Sequence, residues 1–340
     1  MSHSYLIIKN FQTMELKYIG TCRKFAHWPS WDLVYEWEDI LSKELAIDFC
    51  FKNSWYNRKP RKIPLLNLFL RHWTNTFCFE MSACVNGPRM DNMKTVVPCI
   101  IDFFLTKESM PLFIKKYCNN NIVLLSSKES YDFVADYIYN NNIQNFNIGH
   151  LALSISDKYA INNTTFFDKK YDLVLMGRQN AVLEGFLNQY NINHPDLYYV
   201  YRELKDGKFN YYTNRGECLG DINTRDKYIT LMRSARCGLY STPGIDGGEK
   251  RTNGFSQVTP RFLELIACGC HVIARYKRNS DTDYYELEKF SPSVESYEQF
   301  ERMLDKARSS EVDIQAYSNY LSKHYTSVRA IQLKEIIKNY

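Results

Sequence analysis

The chain has 340 residues, a formal charge of +5, 45% apolar and 24% charged residues. A length of this order suits two domains of about 150 residues, each able to bury a core. The balance excludes wholesale disorder, and it excludes a dedicated nucleic-acid binder, which would carry a basic stripe.

No run of about 18 apolar residues appears, so no membrane-spanning helix is expected. The opening "MSHSYLIIKNFQT" has no charged region followed by a long apolar core, so no secretion signal is read there. The 10 cysteines form no C-x-x-C pair and no zinc-type His/Cys spacing. That predicts reduced thiols and a cytosolic chain. Tyrosine and phenylalanine are abundant, 26 and 20, as core filling or as surfaces on which sugars stack.

In chain order, "SWDLVYEWEDILSKELA" reads as a helix, but the strands of the first 95 residues cannot be ordered around it. "WYNRKPRK" places Arg58, Lys59, Arg61 and Lys62 after two aromatics. It suits a solvated loop or a contact with anionic lipid. "KTVVPCIIDFFL" reads as a buried strand ending near Asp102, although Pro98 argues against it. Helix "SMPLFIKKYC", strand "NIVLLSS", helix "SKESYDFVADYIYN" and strand "NFNIGHLAL" follow. Short apolar runs alternating with amphipathic helices predict a parallel, doubly wound sheet.

The polar stretch 154–170 reads as an interdomain connection. Strand "YDLVLM", helix "GRQNAVLEGFLNQY", strand "LYYVY", helix "TRDKYITLMRSA" and strand "CGLYS" then repeat the alternation. The expected division is residues 1–155, a linker 156–170, a second domain 171–315 and a helical tail 316–340 that packs back across the junction. Two doubly wound halves place a ligand cleft at the C-terminal ends of their strands.

"TPRFLELIACGCHVIARY" reads as a helix capped by Thr259, begun by Pro260 and stopped by Gly269, leading into a strand. Arg261 stands in the first turn, where the helix dipole favours an anion. A bound phosphate would explain it, and Glu264 one turn on would hold ribose hydroxyls. An Arg261–Glu264 surface ion pair is the alternative. The preceding loop "STPGIDGGEKRTNGFSQ" holds four glycines with Lys250 and Arg251, which suits a phosphate cradle.

The segments "DLVLMGR", "YITLMRSARCGLYSTPG" and "TPRFLELIACGCHVIARY" together resemble the C-terminal domain of GT-B-fold glycosyltransferases of the "group 1" type, including the spore-maturation-type branch. The resemblance implies an α/β protein of two Rossmann-like domains facing a cleft, and a nucleotide-sugar donor. It implies that Glu264 binds the donor ribose and Arg178 the diphosphate, and that no metal or other cofactor is needed. Two departures stand out. Ser256 occupies the place of a family glutamate, and the lysine after Gly-Arg is missing, so Lys250, Arg251 or Arg261 would substitute. Stereochemistry is left open.

Acid–base candidates are Asp102 at a strand end, Asp246 and Glu249 in the loop, His150 near the linker, and Glu80. His271 reads as structural. Asp281-Thr282-Asp283 spells D-x-D, a metal signature elsewhere, but reads here as a helix start. The expectation is a glycosyltransferase of surface polysaccharide synthesis. It would act on a glycan or lipid-linked acceptor in the cytoplasm, at the inner face of the membrane if the basic patch makes contact. A nucleotide-sugar epimerase of the same fold and a non-catalytic nucleotide-sugar-binding subunit are the alternatives.

Overall fold

The computed structural model describes residues 14–24, 26–27, 29–51, 74–83, 85, 95–205 and 208–340. The basic patch of Arg58, Lys59, Arg61 and Lys62 lies outside the described residues.

The first half builds a sheet from β1 (Tyr18–Thr21), β2 (Asp48–Phe51), β3 (Thr76–Ser82), β4 (Val96–Asp102), β5 (Val123–Leu125) and β6 (Ile148–His150). Its order is β2-β1-β3-β4-β5-β6, and every pair is parallel. Among the described residues, the crossover helices are α1 (Pro29–Leu45), α2 (Met110–Tyr117) and α3 (Lys128–Asn140). Val96 to Ile101 are buried along the whole of β4, as a strand covered on both faces requires. Pro98 stands inside this central strand, in register with Cys78. On the other side β5 begins to pair only at Cys99, so that ladder needs no donor from Pro98.

The second half holds β7 (Tyr171–Val174), α4 (Ala181–Asn193), β8 (Tyr199–Lys205), β9 (Lys208–Thr213), β10 (Cys218–Asp221), α5 (Arg225–Arg233), β11 (Ala235–Ser241), α6 (Pro260–Ala267) and β12 (His271–Arg275). The order is β10-β9-β8-β7-β11-β12. The core strands are parallel, while β8, β9 and β10 form an antiparallel meander at one edge. β9 and β10 fall outside the alternation expected from the apolar runs. One face of this edge is open, so its strands carry polar residues among the tyrosines.

The chain closes with α7 (Ser280–Tyr284), α8 (Leu287–Phe290), α9 (Tyr297–Ser309), α10 (Ile314–Leu321) and α11 (Thr326–Ile337). The tail does pack back across the junction. Ala330, Leu333 and Ile337 of α11 share one core with Ile19, Leu41, Phe77 and Val97 of the first half. The two crossing segments lie side by side: Ile155 N–H donates to His324 O and Thr326 N–H to Ile155 O, both at 3.0 Å. No helix among the described residues is long and apolar enough to cross a membrane.

Candidate functional site

The site forms where the C-terminal ends of both sheets meet. After β7 the chain turns at Gly177, whose φ is +66°. A Cβ here would lie 2.0 Å from a guanidinium nitrogen of Arg261, so only glycine lets that side chain lie across the turn. Arg261 then donates to Arg178 O at 2.9 Å. Arg178 itself is exposed and reaches Glu249 at 2.6 Å.

The loop 242–258 is tied down rather than loose. Gly244 sits where a Cβ would be 2.0 Å from Phe255 O. Phe255 is buried in the aromatic core of the first half, with ring centroids 6.1 Å from Phe103 and 5.2 Å from Phe133. Ser256 N–H donates to Glu129 Oε2 at 2.8 Å, so the first half delivers a carboxylate beside the serine. Gln257 donates to Asp102 Oδ1 at 3.1 Å, and Arg251 lies 3.6 Å from the other oxygen. A chain of charges thus runs from Asp102 through Arg251 and Glu249 to Arg178. Burial raises the Asp102 carboxyl above the ordinary carboxylate range, against the pull of Arg251.

Thr259 does take the N-cap position of α6, but its hydroxyl makes no cap bond. The amides leading into the helix are already engaged: Ser256 by Glu129, Val258 by Asp281 and Thr259 by the Tyr240 hydroxyl. Pro260 has none. The cationic side chains at this end are Arg178 and Arg261. Both line a small cavity of about 60 Å³ with Thr242, Gly248 and Thr259.

Beside it lies a cavity of about 310 Å³ between the halves, lined by Ser30, Asp32 and Leu33 of α1 and by Gly177, Arg202, Asn223, Arg225, Tyr228, Arg261 and Glu264. Glu264 is buried, because α6 is covered both by the sheet and by α10. Its partner is not Arg261. Arg225 Nη2 lies 2.7 Å from Glu264, and Arg225 Nε lies 3.6 Å from Glu36 of α1. The surface ion pair weighed from the sequence is replaced by a buried carboxylate–guanidinium contact at the mouth of the cavity.

Other candidates stand apart. The Asp246 carboxylate is gripped by Arg275 at 2.7 and 2.8 Å and by Asn180 at 2.8 Å, which holds it below the usual range. It braces the loop. Lys250 is exposed and makes no ion pair with any described residue. His150 is packed between Tyr131 and Tyr284, and burial pushes it down to about 4. It is a neutral imidazole at the junction of the halves. Glu80 accepts from the Tyr117 hydroxyl, and His271 contacts Ser310 O at 2.9 Å. Asp281 is fully buried and accepts from Lys128 N–H at 2.7 Å and Val258 N–H at 2.6 Å. Asp283 is half-exposed on Arg278. Among the described residues no group of three His, Cys, Asp or Glu side chains is placed to hold a metal ion.

Sequence reasoning missed Arg225, Gln257 and Glu129. The signal for Arg225 was present: it is a cation in the first turn after the N-cap Thr224, the same irregularity that marked Arg261.

No protein-family model matches the chain, and no curated protein matches it. Solved structures do. A trehalose-6-phosphate structure from E. coli bound with UDP-2-fluoro glucose is 9% identical with a TM-score of 0.56, covering 96% of this chain and 99% of that one. An α,α-trehalose 6-phosphate synthase from Burkholderia multivorans is 11% identical with a TM-score of 0.52, covering 92% and 82%. A UDP-forming α,α-trehalose-phosphate synthase from Burkholderia xenovorans is 12% identical with a TM-score of 0.51, covering 84% and 78%. The fold is GT-B-like. At these identities the likeness establishes the fold and leaves the reaction to be argued from the site.

Proposed function

We propose that the protein is a glycosyltransferase that takes a sugar from a nucleotide-sugar to a glycan or lipid-linked acceptor. The observation that carries this is the cavity of about 310 Å³ between the halves, where Arg202, Arg225, Arg261 and Glu264 converge beside the Gly177 turn. A nucleoside diphosphate offers negative charge for the arginines and paired hydroxyls for the glutamate. The fold neighbour with bound UDP-2-fluoro glucose supports a uridine nucleotide as the first to try.

In this reading Arg178 and Arg261 hold the diphosphate as its bond to the sugar anomeric carbon breaks. The acceptor hydroxyl oxygen forms the new bond to that carbon, and Asp102 takes its proton. Its raised pKa suits a base working nearer neutrality than an ordinary carboxylate. Lys250 and Arg251 close over the donor from the loop, and no metal is required because the arginines carry the charge. The spore-maturation-type branch, a role in surface polysaccharide synthesis and a peripheral membrane contact through Arg58, Lys59, Arg61 and Lys62 belong to the same proposal.

The test is a thermal-shift panel of UDP-, GDP-, CMP- and dTDP-sugars on the wild type and Glu264→Ala. The expected result is a shift with one nucleotide, lost in the variant, corresponding to about 1–3 kcal/mol of binding. A folded variant with unchanged affinity would remove Glu264 from the donor site, and no shift with any nucleotide would overturn the reading.

A further inference from the structure

A second cavity, of about 600 Å³, lies in the C-terminal half, between α4 and β8. Among the described residues, none of the first half lines it. Its size falls within the range of small-molecule sites, about 300–1,000 Å³. Tyr199 and Tyr201 form one wall, two positions apart on β8 and so on one face of the sheet. Their ring centroids lie 6.1 Å apart, and Tyr201 is as far again from Tyr212 on β9. The antiparallel edge thus presents a row of three half-buried tyrosines. Glu184 and Asn188 form the opposite wall, four residues apart on α4 and therefore stacked on one helix face. Neither side chain hydrogen-bonds to any described residue.

We infer that this groove is a second carbohydrate-binding site, taking a short neutral oligosaccharide. A pyranose has an apolar face of C–H groups that lies flat on an aromatic ring, and a rim of hydroxyls that needs donors and acceptors in its plane. The tyrosine row supplies the first, and the free carboxylate and amide supply the second. The cations of the groove, Arg178 and Arg202, sit with Gly177. Gly177 and Arg202 also line the cavity that contains Glu264. An anionic ligand would be drawn to that end, while the tyrosine wall faces a carboxylate and suits an uncharged one. The site goes beyond the donor reading: it shares the Gly177, Arg178 and Arg202 end with the donor site, while Tyr199, Tyr201, Glu184 and Asn188 belong to this groove alone. A glycan held here reaches toward the Gly177 turn.

The experiment applies the purified full chain to an array of defined neutral oligosaccharides of two to six units, with and without UDP. The wild type is expected to retain at least one glycan, and saturating UDP is expected to leave retention in place. Glu184→Ala/Asn188→Ala, which alters only exposed helix positions, is expected to weaken it tenfold or more with an unchanged melting temperature. Tyr201→Ala is expected to weaken retention by a similar factor, with a modest drop in melting temperature because its ring packs on the core. Retention of no glycan by the wild type overturns the site. So does retention indifferent to both variants, or retention abolished by UDP, which would assign the sugar to the cavity of Glu264. A melting shift with UDP in a protein that retains no glycan would leave the donor reading standing and remove this one.

Discussion

Arg225 Nη2 lies 2.7 Å from Glu264 Oε1, and the same guanidinium reaches Glu36 in the other half at 3.6 Å. All three side chains are largely buried, so one cation neutralises a carboxylate from each half. Removing it leaves the buried Glu264 without its cation and Glu36 with only Lys158 at 3.9 Å and the Tyr159 hydroxyl among the described residues, a loss of about 3–5 kcal/mol. Arg225→Met is therefore expected to lower the urea midpoint sharply. Adding Glu36→Gln and Glu264→Gln should recover much of that loss, because the stranded charges are gone. A single variant as stable as the wild type would show that this ion pair contributes nothing net to stability.

Gly177→Ala tests the turn that supports the proposed diphosphate cradle. Alanine at φ +66° costs about 1–2 kcal/mol, and its methyl would displace the Arg261 guanidinium from its place on Arg178 O. The expected outcome is a modest drop in melting temperature with a tenfold or larger loss of nucleotide affinity. Arg261→Ala should lose affinity without the backbone penalty. Equal stability losses in both would mean that the arginine, rather than the turn, sets the strain.

The arrangement of the second half was largely legible because its signals are local. Thr259-Pro260 and Gly269 mark the ends of α6, and the glycines of the loop 242–258 announce a backbone path closed to other residues. Glu264 was legible as a candidate from its place on α6, but its partner was not, because Arg225 comes from another helix and pairs only in three dimensions. The same holds for Asp281. Its spacing to Asp283 suggests a joint role, yet burial separates them. The β9–β10 meander was missed because an edge open on one face has no continuous apolar run. Pro98 misled in the other direction, since a proline in a central strand is tolerated when the neighbouring strand is short.

The junction of the halves should be acid-sensitive. His150 and His324 flank Tyr284 at centroid distances of 4.9 and 6.2 Å. Burial pushes His150 down to about 4, with Lys128 and Arg329 adding to it and Asp132 and a bond to the Ser126 backbone opposing. Burial, Arg329 and Lys323 push His324 down to about 3, and Arg329 donates to its Nδ1 at 3.0 Å. Both are neutral when folded, whereas an unfolded imidazole takes a proton near pH 6.5. The unfolded chain then binds more protons, so stability falls as pH drops from about 6.5 to about 4, by up to about 3 kcal/mol for His150 alone. Urea midpoints between pH 7.5 and 4.5 should show this slope, and His150→Gln should flatten it. An unaltered slope in that variant would assign the acid sensitivity elsewhere.

Asp281 and Asp283 should prove unequal. Asp281 receives two backbone N–H groups, from Lys128 at the start of α3 and from Val258 ahead of α6, and so fastens the halves together. Asparagine there offers one acceptor oxygen and turns an NH₂ toward the second amide, at a cost of about 1–3 kcal/mol. Asp283 faces the exposed Arg278, and its replacement by asparagine should change stability by less than about 0.5 kcal/mol. A metal pair predicts the opposite pattern: both substitutions would abolish a melting shift given by Mn²⁺ or Mg²⁺, and EDTA would reproduce their effect. The expected result is a lower melting temperature for Asp281→Asn alone, with EDTA leaving the wild type unmoved. Matching losses in the two variants, relieved by added metal, would make the D-x-D a metal site after all.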